Sequence, residues 1–338
     1  MRTILHLAGS PTDDFHAELS RLYAADCVST LTDSARYRFL LAYVGPDGLW
    51  RFPAAFDPDS IAAASALPLR AALDHIAASG VDAALPQMFC RTGMTSYRAL
   101  LDVLGIPYVG NTPTAMAITA DKSIARSIVA GAGVDVPDAE VVRGVGATTL
   151  HPPMVVKPVD ADNSVGVTLV RDPADLAAAV AVATQHSNAA LVERYVELGR
   201  EVRCGVVVDA GSLRCLPLEE YAVDPDVSPV RTARDKLARN ESGELFLVAK
   251  DVSRAWVVPP DDPITSAVWE AARRCHVALG CRHYSLFDFR IDPVGRPWFL
   301  EAGLYNSFAR GSVLTTMAAA AGIDPARLFD IALGELFA

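Results

Sequence analysis

The stretch Ser285-Leu286-Phe287-Asp288-Phe289-Arg290-Ile291-Asp292-Pro293-Val294-Gly295-Arg296-Pro297-Trp298-Phe299-Leu300-Glu301-Ala302 decides how this chain is read. Its first half alternates with the period of a strand. Phe287, Phe289 and Ile291 take one face; Leu286, Asp288, Arg290 and Asp292 take the other. Pro293–Arg296 has turn residues, and Trp298–Glu301 returns as a second strand. A hairpin centred between Val294 and Gly295 sets Asp288 opposite Glu301, with Cβ atoms about 4.5–5.5 Å apart. Like charges so placed repel unless something neutralises them. A divalent cation would do so. Oxygen-only ligation favours Mg2+, which keeps waters and phosphate oxygens as its other ligands. A solvated Asp288 on an open sheet face, or one protonated carboxyl, is the competing reading.

Working outward, Met154-Val155-Val156-Lys157 is an apolar strand ending in a lysine, followed by a polar loop and a second strand, Val165–Val170. Loop amides can close over an anion beside such a lysine, although an edge lysine in a plain hairpin has the same pattern. Leu191-Val192-Glu193-Arg194-Tyr195-Val196 leads into Gly199-Arg200-Glu201, a strand edge and a bend that can read a base and a ribose. Two charges flanking a turn is the plainer alternative. Asp121 can cap a helix that carries Lys122 in its first turn, where the helix dipole disfavours a cation and a bound anion would relieve the misfit. Only four of the 30 basic residues are lysines: Lys122, Lys157, Lys236 and Lys250. A chain this poor in lysine is expected to keep it where a compact ammonium matters.

The 338 residues carry a net charge of −10. That balance argues against nucleic acid or an anionic membrane as partner. No apolar run is long enough to span a bilayer. The amino-terminal Met1–Phe15 reads as a first strand rather than a signal peptide. Six scattered cysteines without a CxxC pair read as free thiols in a reducing cytoplasm. Strand-like Thr3–Leu7, Phe39–Val44 and Asp82–Met88 alternate with helical Leu69–Ser79 and Tyr97–Leu104, the rhythm of an α/β parallel-sheet unit. Asp172-Pro173, Asp262-Pro263 and Asp324-Pro325 predict helix starts. The helix after Asp262 would bury Ile264, Ala267, Val268, Ala271, Cys275 and Ala278 on one stripe. Residues 222–258 form a long polar stretch suited to a segment that orders over a ligand.

Taken in order, these pieces resemble the ATP-grasp superfamily, and most closely its D-alanine–D-alanine ligase-like branch. The matching stretches are Leu104-Gly105-Ile106-Pro107-Tyr108-Val109-Gly110, Asp121-Lys122, Val156-Lys157-Pro158, Ser164-Val165-Gly166, Val192-Glu193-Arg194-Tyr195, Gly199-Arg200-Glu201, Asp288 and Leu300-Glu301. The resemblance implies an N-terminal parallel-sheet domain (1–112), a central antiparallel lid (113–190) and a C-terminal mixed α+β domain (191–338), with ATP between the last two. It implies that Lys122, Lys157 and Ser164 hold phosphates, that Glu193 and the Tyr195–Val196 backbone line the adenine site, and that Glu201 holds ribose. Asp288 and Glu301 would bind Mg2+, Lys236 would be a third phosphate lysine, and Ser312 would receive the acceptor carboxylate. Small amino-acid-like carboxylate and amine substrates, and a homodimer, are implied as well.

Departures concentrate where such a family would hold its amino acids. The metal site departs too: the branch's asparagine magnesium ligand two residues after the second glutamate is Gly303, with Asn306 out of register. Its arginine two residues before the aspartate is Leu286, for which Arg290 on the same face is the available substitute. The phosphate loop reads Asn163-Ser164 between Asp160 and Asp162. Met88-Phe89 and Thr92-Gly93-Met94-Thr95 replace the usual substrate motifs, and Leu237 replaces a loop tyrosine. Asp13, Asp14 and Glu18 compete for a donor-amine role. The expectation is an ATP-dependent carboxylate–amine ligase working through an acyl phosphate on substrates other than two D-alanines, in specialised metabolism. The alternatives are a D-alanine–D-alanine ligase of cell-wall synthesis and a nucleotide-binding protein without turnover.

Overall fold

The computed structural model describes residues 1–31, 36–144, 147–162, 164–224, 230 and 254–338, with backbone alone at 237–239 and 245–247. At the amino terminus, β1 (Arg2–Gly9) is followed by α1 (Asp14–Thr30), β2 (Tyr37–Val44), the short β3 (Trp50–Arg51), α2 (Pro58–Ala63), α3 (Leu69–Ala78), β4 (Ala83–Pro86) and α4 (Arg98–Val103). The sheet order is β3-β2-β1-β4, with β1 parallel to both β2 and β4. A central parallel strand is covered on both faces, so β1 is buried from Ile4 onward and reads as an unbroken apolar run interrupted only by His6. Burial pushes the His6 imidazole down to about 4, against the opposing pull of its hydrogen bond to Gln87.

Two helices, α5 (Pro113–Thr119) and α6 (Lys122–Gly131), lead to a second sheet of β5 (Ala139–Val142), β6 (Met154–Pro158), β7 (Thr168–Val170) and β8 (Ala190–Arg194), with α7 (Leu176–Thr184) before β8. Its order is β5-β8-β6-β7 and every pairing is antiparallel. Met154, Val156, Val170, Val180 and Val192 give it a small core of its own. The helices before it behave differently. Ala125 and Val129 of α6 share their core with Phe287, Phe289 and Phe299, so the segment that opens the expected lid region packs on the C-terminal sheet.

That third sheet contains β9 (Arg200–Asp209), β10 (Ser212–Cys215), β11 (Glu219–Tyr221), then, after the separate pair β12 (Leu237–Arg239) and β13 (Leu245–Leu247), β14 (Ala255–Val257), β15 (Tyr284–Ile291) and β16 (Pro297–Gly303). The main order is β14-β11-β9-β15-β16, with β10 folded back on β9. Helix α8 (Thr265–Ala278) lies on one face; α9 (Val313–Ala320) and α10 (Pro325–Gly334) follow β16. Ile4, Leu85 and Val109 meet Tyr284, Phe308 and Phe329 in one core, which ties the first sheet to the last.

Local rules explain most boundaries. The Asp172 and Asp324 side chains accept from Ala174 and Arg327 amides as helix caps, and Asp57-Pro58, a fourth such pair, caps α2 in the same way. Asp262 accepts the Ile264 amide at 3.1 Å in the turn that leads into α8 at Thr265, and its carboxylate also takes Arg200 Nη1 at 2.8 and 2.9 Å. The buried stripe of α8 includes Ala272 and His276, while Ala267 faces solvent. All six cysteines are free thiols. Among the described residues, no helix is long and apolar enough to cross a membrane.

Candidate active site

A cleft opens between the second sheet and the third, walled by β6 and β8 and floored by β9, β15 and β16. Lys157, Ser164, Glu193, Tyr195, Val196, Glu201, Asp288, Arg290 and Glu301 all line it, joined by Arg194 and Leu300. Residues from four distant segments of sequence thus converge on one surface.

Strand register explains the pairings. On the wall, Lys157 sits opposite Leu191 and Val155 opposite Glu193, so Lys157 and Glu193 are diagonal neighbours on one face. Their buried charges meet at 2.6 Å, with Arg126 Nε 3.8 Å from the other Glu193 oxygen. Ser164 adopts a left-handed φ of 57° at the start of the turn that precedes β7. On the floor, Arg290 is the direct cross-strand partner of Glu201, and its Nη2 donates to that carboxylate at 2.8 Å. Its Nη1 donates to the Val196 carbonyl at 3.2 Å, and the guanidinium lies 5.3 Å from the Tyr195 ring centroid.

The hairpin brings Asp288 and Glu301 into direct register, as its alternation predicts. The route differs from the expected one. Near the turn, Phe289 pairs with Phe299 and Ile291 with Pro297, which centres the turn on Val294, one half-step earlier. Gly295 takes φ +90° there, a left-handed position that closes a three-residue loop. A bulge at Leu300 then restores the Asp288–Glu301 pairing, and both Leu300 and Glu301 face the cleft.

The partner of Asp288 corrects the sequence reading. Arg203, directly opposite on β9, donates from Nε at 2.6 Å and Nη2 at 3.0 Å to the two carboxylate oxygens. Burial lowers the Arg203 guanidinium, yet Asp288 beside it, with Tyr221 and Glu219, holds it well above the ordinary arginine value. Arg203, not Arg290, is therefore the guanidinium at this aspartate. Lys122 opens α6 under the Asp121 cap; its Nζ donates to the Ala161 carbonyl and stands 3.9 Å from Glu301. Tyr305 is half-buried close by. Burial, with the Asp162 and Glu301 carboxylates, pushes its phenol well up.

Two carboxylates in register offer the oxygen donors that Mg2+ takes. Among the described residues, no group of three or more acidic, histidine or cysteine side chains is placed to hold a metal. A cation at Asp288 and Glu301 would therefore complete its shell with water and with the oxygens of a bound phosphate. Asn306 turns its amide to the Gly303 carbonyl at 3.3 Å.

The remaining candidates lie elsewhere. Ser312 is the buried N-cap residue of α9 but its side chain does not cap the helix, and it is outside the cleft lining. Lys236 lies outside the described residues. Asp13 caps α1 and pairs with His16, while Glu18 holds Arg21 at 2.7 and 2.8 Å. His283 is buried and accepts the Gly110 amide at 2.8 Å; burial with Arg282 and Arg98 nearby lowers it to about 3. Sequence reasoning missed Arg203, Arg126 and Tyr305. The alternation Glu201-Val202-Arg203-Cys204 was visible, but which strand it would face was not.

Residues 134–333 match the family model described as the D-ala D-ala ligase C-terminus. The D-alanine–D-alanine ligase of Gloeobacter violaceus is 32% identical over 238 residues, covering 67% of this chain and 72% of that protein. An uncharacterised protein, y4sG of Sinorhizobium fredii, is 29% identical over 231 residues, 68% of this chain and 66% of its own length. Among solved structures, VanG D-Ala:D-Ser ligase from Enterococcus faecalis superposes with a TM-score of 0.76 at 20% identity, covering 99% of each chain. On these grounds, with a match that runs through both walls of the cleft, the chain belongs to the D-alanine–D-alanine ligase family of ATP-grasp enzymes.

Proposed function

We propose that this ATP-dependent, carbon–nitrogen bond-forming ligase phosphorylates a small amino-acid-like carboxylate and passes the acyl group to an amine, and that its substrates are not two D-alanines. The observation that carries the reading is the convergence of Lys157, Glu193, Glu201, Asp288 and Glu301 on one cleft between two sheets. Lys157 and Lys122 would neutralise the triphosphate, while Glu201 accepts from ribose hydroxyls. Mg2+ held by Asp288 and Glu301 would screen phosphate charge during transfer. The protein's part is positioning and charge stabilisation of the acyl phosphate and its tetrahedral successor. Arg203 would hold the Asp288 carboxylate in place for that cation. Free thiols suit a cytoplasmic setting.

The altered substrate motifs around Met88–Thr95 favour substrates other than D-alanine. The Gloeobacter relative's name favours the second reading, a D-alanine–D-alanine ligase. Phosphate release from ATP and Mg2+, screened against D-alanine, D-serine, D-lactate and pools of L-amino acids, separates them. Release with D-alanine alone establishes the second reading. Release with other carboxylates or amines supports the first. No release with any pool, despite ATP binding, leaves a nucleotide-binding protein without turnover and overturns both.

A further inference from the structure

We infer that Arg290 is a positioning residue that sets the carboxylate of Glu201 and the connector at Val196 for ribose recognition, rather than a group acting on the reacting phosphate. The inference rests on the ligase reading above and assigns Arg290 a place within it. Arg290 and Glu201 are direct cross-strand partners on β15 and β9, each under one-tenth exposed. One arm of the guanidinium holds the Glu201 carboxylate at 2.8 Å. The other holds the carbonyl of Val196 at 3.2 Å, in the connector that carries the chain from β8 to β9. The Tyr195 ring, 5.3 Å away, stacks over the same guanidinium. The planar fork thus fixes three features of one wall: the acid, the peptide that leads out of the lid, and the ring beside it. Asp288 has its own guanidinium in Arg203, and no contact joins Arg290 to that aspartate among those described.

A carboxylate held on one side by a forked donor keeps its remaining lone pairs aimed into the cleft. Ribose offers two hydroxyl donors, so a fixed acid can take both. An acid released from its partner would either rotate away or bury an uncompensated charge. The inference therefore bears on how the site tells a ribonucleotide from its deoxy forms.

The test measures binding of ATP, 2′-deoxyATP and 3′-deoxyATP with Mg2+ to the full chain by calorimetry. Three variants are compared with wild type: Arg290→Met, Arg290→Lys and the neutral pair Arg290→Met with Glu201→Gln. The wild type is expected to prefer ATP over both deoxynucleotides. In Arg290→Met, ATP binding should weaken about tenfold to a hundredfold while deoxynucleotide binding changes little, so the preference collapses toward one. Arg290→Lys should fall between, and the neutral pair should fold as well as wild type yet show no preference. If Arg290→Met does not fold, the lysine variant and the neutral pair carry the reading. A wild-type preference retained in those variants overturns the inference alone. Absence of ATP binding by the wild-type chain overturns the ligase reading and the inference with it.

Discussion

At the lid end of the cleft, Lys157 meets Glu193 and Arg290 meets Glu201 at 2.6 and 2.8 Å, each pair set by strand register. At the hairpin end, Asp288 is met as closely by Arg203, but Glu301 has Lys122 only at 3.9 Å, reaching in from a helix outside the sheet. Glu301 is also 38% exposed at its side chain, against 8% for Glu201. The first end is charge-matched before any ligand arrives. The second keeps one acid more exposed to solvent. A nucleoside can therefore dock on a ready surface, whereas phosphate and cation must complete the other.

From that contrast, Asp288→Asn should lower phosphate release by about a thousandfold, since the lost charge would act in the transition state. ATP affinity, measured by calorimetry on the same protein, should fall far less. Equal losses in binding and turnover would erase the distinction between the two ends. Glu193→Ala should act on stability instead. It strands the buried Lys157 ammonium and should cost about 3 kcal/mol in urea unfolding, an effect that breaking a buried pair commonly has. Glu301→Ala, by contrast, should leave unfolding almost unchanged while abolishing release.

Acid sensitivity should come from three histidines that lie outside the cleft lining. His6 and His276 are lowered to about 4 and His283 to about 3, chiefly by burial. A histidine held neutral contributes stability above its unfolded value near 6.5 and loses it as pH falls from there toward the folded value. Three such groups predict a fall of roughly 3–4 kcal/mol per pH unit between about 6 and 4. Urea midpoints at pH 7.5, 6 and 5 measure it. The smallest effect should be in Asp57→Ala, which removes one exposed helix cap and should lower the same midpoint slightly with turnover intact.

What could be read from sequence follows what is local. Alternation in Leu286–Asp292 placed Asp288 on the polar face, and the Asp-Pro pairs at 172 and 324 marked helix starts, because strand period and capping act within a few residues. Asp262 follows the same rule at the Ile264 amide, but its second partner, Arg200, 62 positions away, left no local signal. Arg203 escaped because only the pairing of β9 with β15 sets it against Asp288, and register between strands 85 residues apart has no local signature. Arg290 shows the mixed case. Its face was legible, but its partner had to wait for the sheet.

The doubled residue at the end of β16 has a consequence for how this hairpin can change over generations. An ordinary strand would spend every second side chain on the protein interior. Here two in succession, Leu300 and Glu301, look the same way. A greasy patch and an acid are therefore inherited as a single unit. Straightening the strand would remove the former without moving the latter, so the contour of the pocket can be remodelled by one deletion while its charge stays where it was.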